Sequence, residues 1–344
     1  MDYSDLQKQY DTINMDVLIE RFIEDFEKAW EIGQKLELPA GFKGAKHVIG
    51  TGMGGSGMGY TLLLSLARSF GTASIEVVSD YALPPYATAN SGIVVCATSF
   101  SGNTEETLDV ARQALERKLP MIAITTGGKL APWAKEHNIP VAVFDYPVPL
   151  PRVGLPYTFG VAFSVLTQAG IVQPEDVPSA LSQLKQHMNS DAMRKLGQEI
   201  AEQVQGKMIY CIGPGFAFPV ATRWKGQFNE NSKNIAFAEL MPEMCHNMYL
   251  GYKQPDHIRT NSAVIFLDSK HDHPQNRKRN QLVMEDFAKD GVTVVRPSWP
   301  DELGPISTLL AQLVVGDWAS YYLALLNHVD PSDTSRIEDL KKRL

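Results

Sequence analysis

The chain has 344 residues, 44% hydrophobic and 21% charged, with a net charge of −7. That length suits two domains of roughly 150 residues each, and the acidic balance excludes the basic footprint of a nucleic-acid binder. Cys96, Cys211 and Cys245 lie too far apart for a zinc spacing or a disulfide framework.

The opening MDYSDLQKQY is polar and acidic, unlike a signal peptide, and no apolar run approaches the roughly 18–20 residues of a spanning helix. The expectation is a cytoplasmic protein without a membrane partner. Leu18, Phe22, Phe26 and Trp30 recur every four residues, which predicts one N-terminal helix over 16–35. Apolar runs at 48–50, 75–78, 93–98, 121–125 and 141–144 then read as strands, with helical patterns at 56–70, 104–117 and 129–137 between them. Continuous apolar strands alternating with helices predict an α/β fold, a mainly parallel sheet covered by helices on both faces.

PVPLPRVGLP at 147–156 carries four prolines and reads as the joint between a first domain, 1–150, and a second, 151–344. Helical patterns follow at 157–170 and 178–205, and strand patterns resume at 208–212, 236–240, 263–267 and 292–295. A long amphipathic helix is expected over 302–327 and a short helix at the C-terminus. The second half repeats the style of the first. Gly213-Pro214-Gly215 follows its opening strand as Gly52-Met53-Gly54 follows the earlier one.

The most informative stretch is SFSGNTEET, where the third strand ends in a hydroxyl-rich turn and a helix begins. Ser99, Ser101 and Thr104 around Gly102, beside the free N–H groups of a helix start, make an anion site suited to phosphate. Plain helix capping by Ser101 or Asn103, with Glu106 closing a capping box, is the alternative, but one residue suffices for that. Gly52, Gly54 and Gly57 fit GxGxxG spacing, with Glu76 and Asp80 where a dinucleotide fold keeps its ribose acid. The same glycines, with Gly55 and Ser56, equally suit close approach to a sugar phosphate. Both readings, and that of a tight turn only, stand on these residues alone.

SFSGNTEET resembles the phosphate loop of the sugar isomerase (SIS) fold. The chain as a whole resembles the bifunctional phosphoglucose/phosphomannose isomerases, through GMGGSG, SFSGNTEET, the Pro-Arg at 151–152, FNENSK at 228–233, PEMCHN at 242–247 and a C-terminal DPS…LKKRL. The resemblance implies two SIS-type domains, each a three-layer αβα sandwich. It implies that Ser99, Ser101 and Thr104 hold the phosphate, that Gly54, Gly55 and Ser56 line the sugar, and that Thr334 lies next to it. It further implies Arg152 beside the reacting carbons, Glu230 as the base, and His246 and Lys341 in ring opening.

The chemistry asks for those residue types. Aldose–ketose interconversion moves one proton between C2 and C1 through a cis-enediol, which a single carboxylate can carry. Histidine suits opening the pyranose, and an arginine stabilises the enediolate. No metal or cofactor is expected; His271 and His273 in KHDHP have no partners at ligand spacing and read as surface residues. Lys342, beside Lys341, is the competing site lysine.

Two residues depart from the family pattern near His246. Cys245 stands where an asparagine is common and Met248 where a glutamate is expected. Gly57 replaces a common alanine, an exchange expected to be mild. The resemblance also implies a homodimer with the histidine supplied by the other subunit, for which the 16–35 and 302–327 segments offer apolar faces. The expected substrates are glucose 6-phosphate and fructose 6-phosphate, with mannose 6-phosphate. The rival functions are a non-catalytic sugar-phosphate sensor, an NAD-dependent dehydrogenase and an amino-sugar isomerase.

Overall fold

The structure, a computed structural model, describes residues 3–174 and 176–343. The helices α1 (Tyr3–Tyr10) and α2 (Met15–Glu20) come first, followed by α3 (Phe22–Lys35). The expected single helix over 16–35 is therefore broken at Arg21. The Asp11 carboxylate accepts the Met15 N–H at 2.9 Å to start α2. The break is also a boundary, because Met1–Glu20 group with Asp176–Leu344 as one compact unit and Arg21–Glu175 form the other.

In the Arg21–Glu175 unit, β1 (His47–Thr51), α4 (Gly55–Phe70), β2 (Ser74–Val78), β3 (Ile93–Ser99), α5 (Glu105–Glu116), β4 (Met121–Thr125), α6 (Leu130–Glu136), β5 (Val141–Val143) and α7 (Leu155–Gln168) follow in order. The five strands are all parallel, in the order β2-β1-β3-β4-β5. Every residue of β3 is buried, as a central strand covered on both faces must be. Val95 and Ala97 pack with Leu108, Ala111 and Leu130 of α5 and α6. On the opposite face, the α4 residue Tyr60 meets Thr98 through a 2.5 Å hydrogen bond between hydroxyls. The helices α3, α4 and α7 pack together. This is the expected three-layer αβα arrangement.

The joint differs from the expectation. The unit boundary lies near residue 175 instead of 150, because α7 belongs with α3 and α4. The proline-rich 147–156 segment is an internal loop of the first unit.

The second unit continues with α8 (Val177–His187), α9 (Ser190–Val204), β6 (Met208–Pro214), α10 (Phe218–Glu230) and β7 (Ala236–Met241). After a 3₁₀ turn, Glu243–His246, come α11 (Met248–Gly251), α12 (Asp256–Thr260), β8 (Ser262–Phe266), α13 (Pro274–Lys289), β9 (Thr293–Val295), α14 (Pro305–Leu326) and α15 (Ser335–Lys341). Leu344, the end of the expected terminal helix, lies outside the described residues. The helix expected over 178–205 is two, because the Asn189 side chain caps a new start by accepting the Ala192 N–H at 3.0 Å. The sheet order is β7-β6-β8-β9, all parallel. Renumbered within its own unit this is 2-1-3-4, the order of the first unit without its fifth strand. The repeat seen in the sequence is thus a repeat of topology.

The helix α14 is not amphipathic. Every residue from Ile306 to Leu326 is buried, as a helix apolar on all sides requires, so it offers no free apolar face for a subunit contact. By length and composition it is also apolar enough to cross a bilayer, contrary to the expectation, yet 94% of its most apolar window is buried. Its single acid, Asp317, is paired with Arg223 of α10 at 3.1 Å and accepts from Gln227 at 2.7 Å.

Candidate active site

In an open parallel sheet the strand order reverses at one point, and ligands bind outside the carboxyl ends of the strands that flank it. In the first unit that point lies between β1 and β3. The glycine loop follows β1 and the hydroxyl loop follows β3, so both sequence motifs meet at the same crevice. The Ser56 Oγ accepts the buried Phe100 N–H at 3.0 Å and joins the two loops. Gly54 has φ +50°, a left-handed conformation that favours glycine. A Cβ on Gly55 would lie 2.8 Å from the Pro151 carbonyl oxygen and 3.3 Å from the Arg152 Cα. The proline-rich loop therefore lays the buried Arg152 against the glycine loop. The structure brings Gly54, Gly55, Ser56, Ser99, Ser101, Thr104 and Arg152 together.

The Ser99 and Ser101 oxygens take local backbone N–H groups, Ser99 that of Thr104 at 3.4 Å, while the Thr104 hydroxyl caps nothing. Thr104 sits at the N-cap of α5 without a side-chain capping bond. The Ser99 and Thr104 hydroxyls are 2.8 Å apart, and the Ser101 Oγ accepts the Asn103 N–H at 3.2 Å. Gly102 has φ +70°, and a Cβ there would press into the Gly127 carbonyl of the loop after β4. The Thr126 hydroxyl donates to the Phe100 carbonyl at 2.7 Å, and the Leu130 N–H to that of Gly102 at 3.0 Å. This bracing loop, 125–130, was missed in the sequence. Its Thr-Thr-Gly-Gly run was the available signal.

The dinucleotide reading fares worse. Glu76 lies within edge strand β2, where it accepts from the Tyr86 hydroxyl and approaches His47 Nε2 at 3.1 Å. Asp80 accepts the Tyr81 N–H at 2.7 Å.

In the second unit Glu230 is the last residue of α10, and its surroundings are tied down. Asn231, fully buried, donates to the Ser320 Oγ of α14 at 2.9 Å. The Asn229 amide donates to the Ala236 carbonyl at 3.0 Å. Lys233 has φ +51°, and its ammonium donates to the Glu230 carbonyl at 2.8 Å and to the Asp330 carbonyl at 2.9 Å. Asp330 opens the turn that leads to Thr334, so Lys233 links the Glu230 segment to the Thr334 segment. It too was overlooked, although it closes the FNENSK motif.

His246 is exposed at the end of the 3₁₀ turn after β7. Its two unusual neighbours serve packing. Cys245 and Met248 lie against the apolar cluster of Met241, Met244 and Phe287, and burial pushes the Cys245 thiol pKa up. Thr334 is the N-cap of α15 and Lys341 its last residue, seven positions on and so on nearly the same face. Lys341 is exposed and pairs with Glu338 at 2.9 Å, as Lys342 pairs with Asp339 at 3.3 Å. His271, half-buried, contacts the Leu303 carbonyl at 3.1 Å, and exposed His273 caps α13 through the Gln275 N–H. Among the described residues no cluster of histidines, cysteines and acids is placed to hold a metal ion.

Residues 194–344 match the bacterial phospho-glucose isomerase C-terminal SIS domain. A bifunctional phosphoglucose/phosphomannose isomerase from Caldicellulosiruptor bescii is 31% identical over 330 residues, covering 93% of this chain and 96% of that protein. The chain belongs to this family. A second member, from Aquifex aeolicus, is 32% identical over 335 residues, covering 95% and 97%. The family is one of isomerases, and this chain is one. The fold agreement extends further. A crystal structure of a hypothetical protein from Thermus thermophilus superposes with a TM-score of 0.74 at 13% identity, covering 99% of this chain and 92% of that one.

Proposed function

We propose that this isomerase interconverts glucose 6-phosphate and fructose 6-phosphate, and mannose 6-phosphate and fructose 6-phosphate, through a cis-enediol. The observation that carries the reading is the junction of the glycine and hydroxyl loops at the topological switch point of the first sheet. Family membership supplies the substrate class, as the names of the relatives state it. Ser99, Ser101 and Thr104 take the phosphoryl group, while Gly54, Gly55 and Ser56 approach the sugar.

In the aldose-to-ketose direction, His246 and Lys341 move the proton that opens the ring. The Glu230 carboxylate then takes the proton from C2, and the electron pair forms the C1–C2 double bond of the enediolate. Arg152 stabilises the oxygen charge, and a proton passes from O2 to O1. Glu230 returns its proton to C1, which leaves the ketone at C2, and the step needs no redox partner. Thr334, a small residue, leaves room for either epimer at C2.

The proposed assembly is a cytoplasmic homodimer in which His246 serves the neighbouring subunit's site. Its exposed position supports this, as do exposed Phe237 and Ile235 at edge strand β7 and exposed Leu250 in α11.

The deciding experiment is a coupled assay with each aldose phosphate, in EDTA, on the native enzyme and Glu230→Gln. The expected result is turnover of both sugars by the native enzyme, with loss of turnover but retained fructose 6-phosphate binding in the variant. Native protein that binds fructose 6-phosphate yet converts neither aldose would make it a sensor.

A further inference from the structure

The second sheet has its own carboxyl edge, and none of the residues assigned above lines the cavity found there. That cavity holds about 380 Å³ and opens beyond the ends of β8 and β9. This is within the range of small-molecule sites. Because β8 and β9 are the counterparts of β3 and β4, its walls are the counterparts of the hydroxyl loop and the loop that braces it.

Its charge and construction select an anion. Lys270 follows β8, Arg277 lies in the opening turn of α13, and Arg296 follows β9. Arg296 is held in place by a two-pronged bond to buried Asp268, at 3.0 and 2.7 Å. Among the described residues, Lys270 donates only to the Asp301 main-chain carbonyl. The exposed Arg277 guanidinium makes no hydrogen bond or ion pair among the described residues. Asp301 is the one other acid on the wall among the described residues, so the wall carries three cations against two acids, and neither Lys270 nor Arg277 forms an ion pair there, although Arg277 bears electrostatically on buried Asp272. Thr308, from the opening turn of α14, also lines the cavity, which places the positive ends of two long helices there. Trp299 forms part of the wall, and its buried indole N–H has no partner among the described residues.

We propose that this cavity is a second ligand site, for a small phosphate-bearing anion, with Lys270 and Arg277 as the groups that hold the phosphoryl oxygens. It does not rest on the isomerase reading of the first unit.

The test locates the anion and then weighs it. Crystals soaked in tungstate, a phosphate analogue, are expected to show anomalous density between Lys270 and Arg277. In solution, Ser101→Ala with Thr104→Ala weakens the first-unit loop. That variant is expected to keep a thermal shift with inorganic phosphate, and adding Lys270→Ala and Arg277→Ala is expected to weaken it about ten-fold or more. The Lys270 and Arg277 side chains reach the surface, and Lys270→Ala with Arg277→Ala alone should leave turnover in phosphate-free buffer unchanged. Fructose 6-phosphate about ten-fold tighter than phosphate in the first variant would mark a sugar ester as the ligand; equal affinities would mark free phosphate. A cavity without tungstate, or a phosphate shift indifferent to Lys270→Ala and Arg277→Ala, overturns the proposal. Tungstate in the cavity with none in the hydroxyl loop would uphold it and count against the first-unit reading instead.

Discussion

The Ser56 hydroxyl oxygen accepts the backbone N–H of Phe100 at 3.0 Å, and both residues are buried. One bond thus fixes the spacing of two loops that come from different strands. Ser56→Ala removes the acceptor and strands a buried N–H, which costs about 1–3 kcal/mol of stability. On the proposed reading, in which these two loops hold the phosphate and the sugar, the expected kinetic result is a raised KM for fructose 6-phosphate. A variant with native KM and native unfolding midpoint would show that the bond positions nothing.

Gly57→Ala reads differently from the structure than from the family pattern. A Cβ at residue 57 would press into the carbonyl oxygen of Gly52, which belongs to the rigid glycine turn. The exchange expected to be mild is therefore a strained one in this chain, and alanine should cost about 1–3 kcal/mol by overpacking. Chemical denaturation of Gly57→Ala checks this. An unchanged midpoint would mean the turn relaxes freely.

Lys233→Met tests the bridge between the Glu230 and Thr334 segments. It deletes the ammonium's contacts with the Glu230, Asn231 and Asp330 carbonyls while keeping a long side chain. If Glu230 is the base, as proposed, and Lys233 holds its segment in place, kcat falls several-fold while KM stays near native, because the hydroxyl loop is untouched. An equal loss in KM alone would place Lys233 with substrate binding.

Much of the fold was legible because parallel strands buried on both faces leave continuous apolar runs, as at β3 and β4. The hydroxyl loop was legible because three hydroxyls exceed what capping Glu105–Glu116 requires. The breaks at Arg21 and Asn189 were not, since helical residues continue on either side and caps decide the end. Residues 147–156 were misread because prolines mark a linker and a rigid loop alike; only packing against Gly55 tells which. The full burial of α14 was hidden for a similar reason. Its acid, Asp317, suggests a wet face until its partner Arg223, 94 positions earlier, is seen.

Asp272 offers a test by pH. It is buried beside the second-unit cavity, and burial raises its carboxyl from 3.8 to about 6. The Ser269 N–H, donating at 2.6 Å, and the charge of Arg277 oppose that rise, while Asp268 adds to it. The folded chain therefore keeps this proton at pH values where the unfolded chain has released it. Stability from this group is fully present below pH 4 and is lost as pH rises through about 6. Asp272→Asn keeps an acceptor for the Ser269 N–H but carries no charge. It should match the native protein near pH 4 and exceed it above pH 7 by up to roughly 3 kcal/mol, two pKa units at 1.36 kcal/mol each. Denaturant melts across that range decide the matter. Parallel stability curves for the two proteins would show that the buried carboxyl ionises without cost.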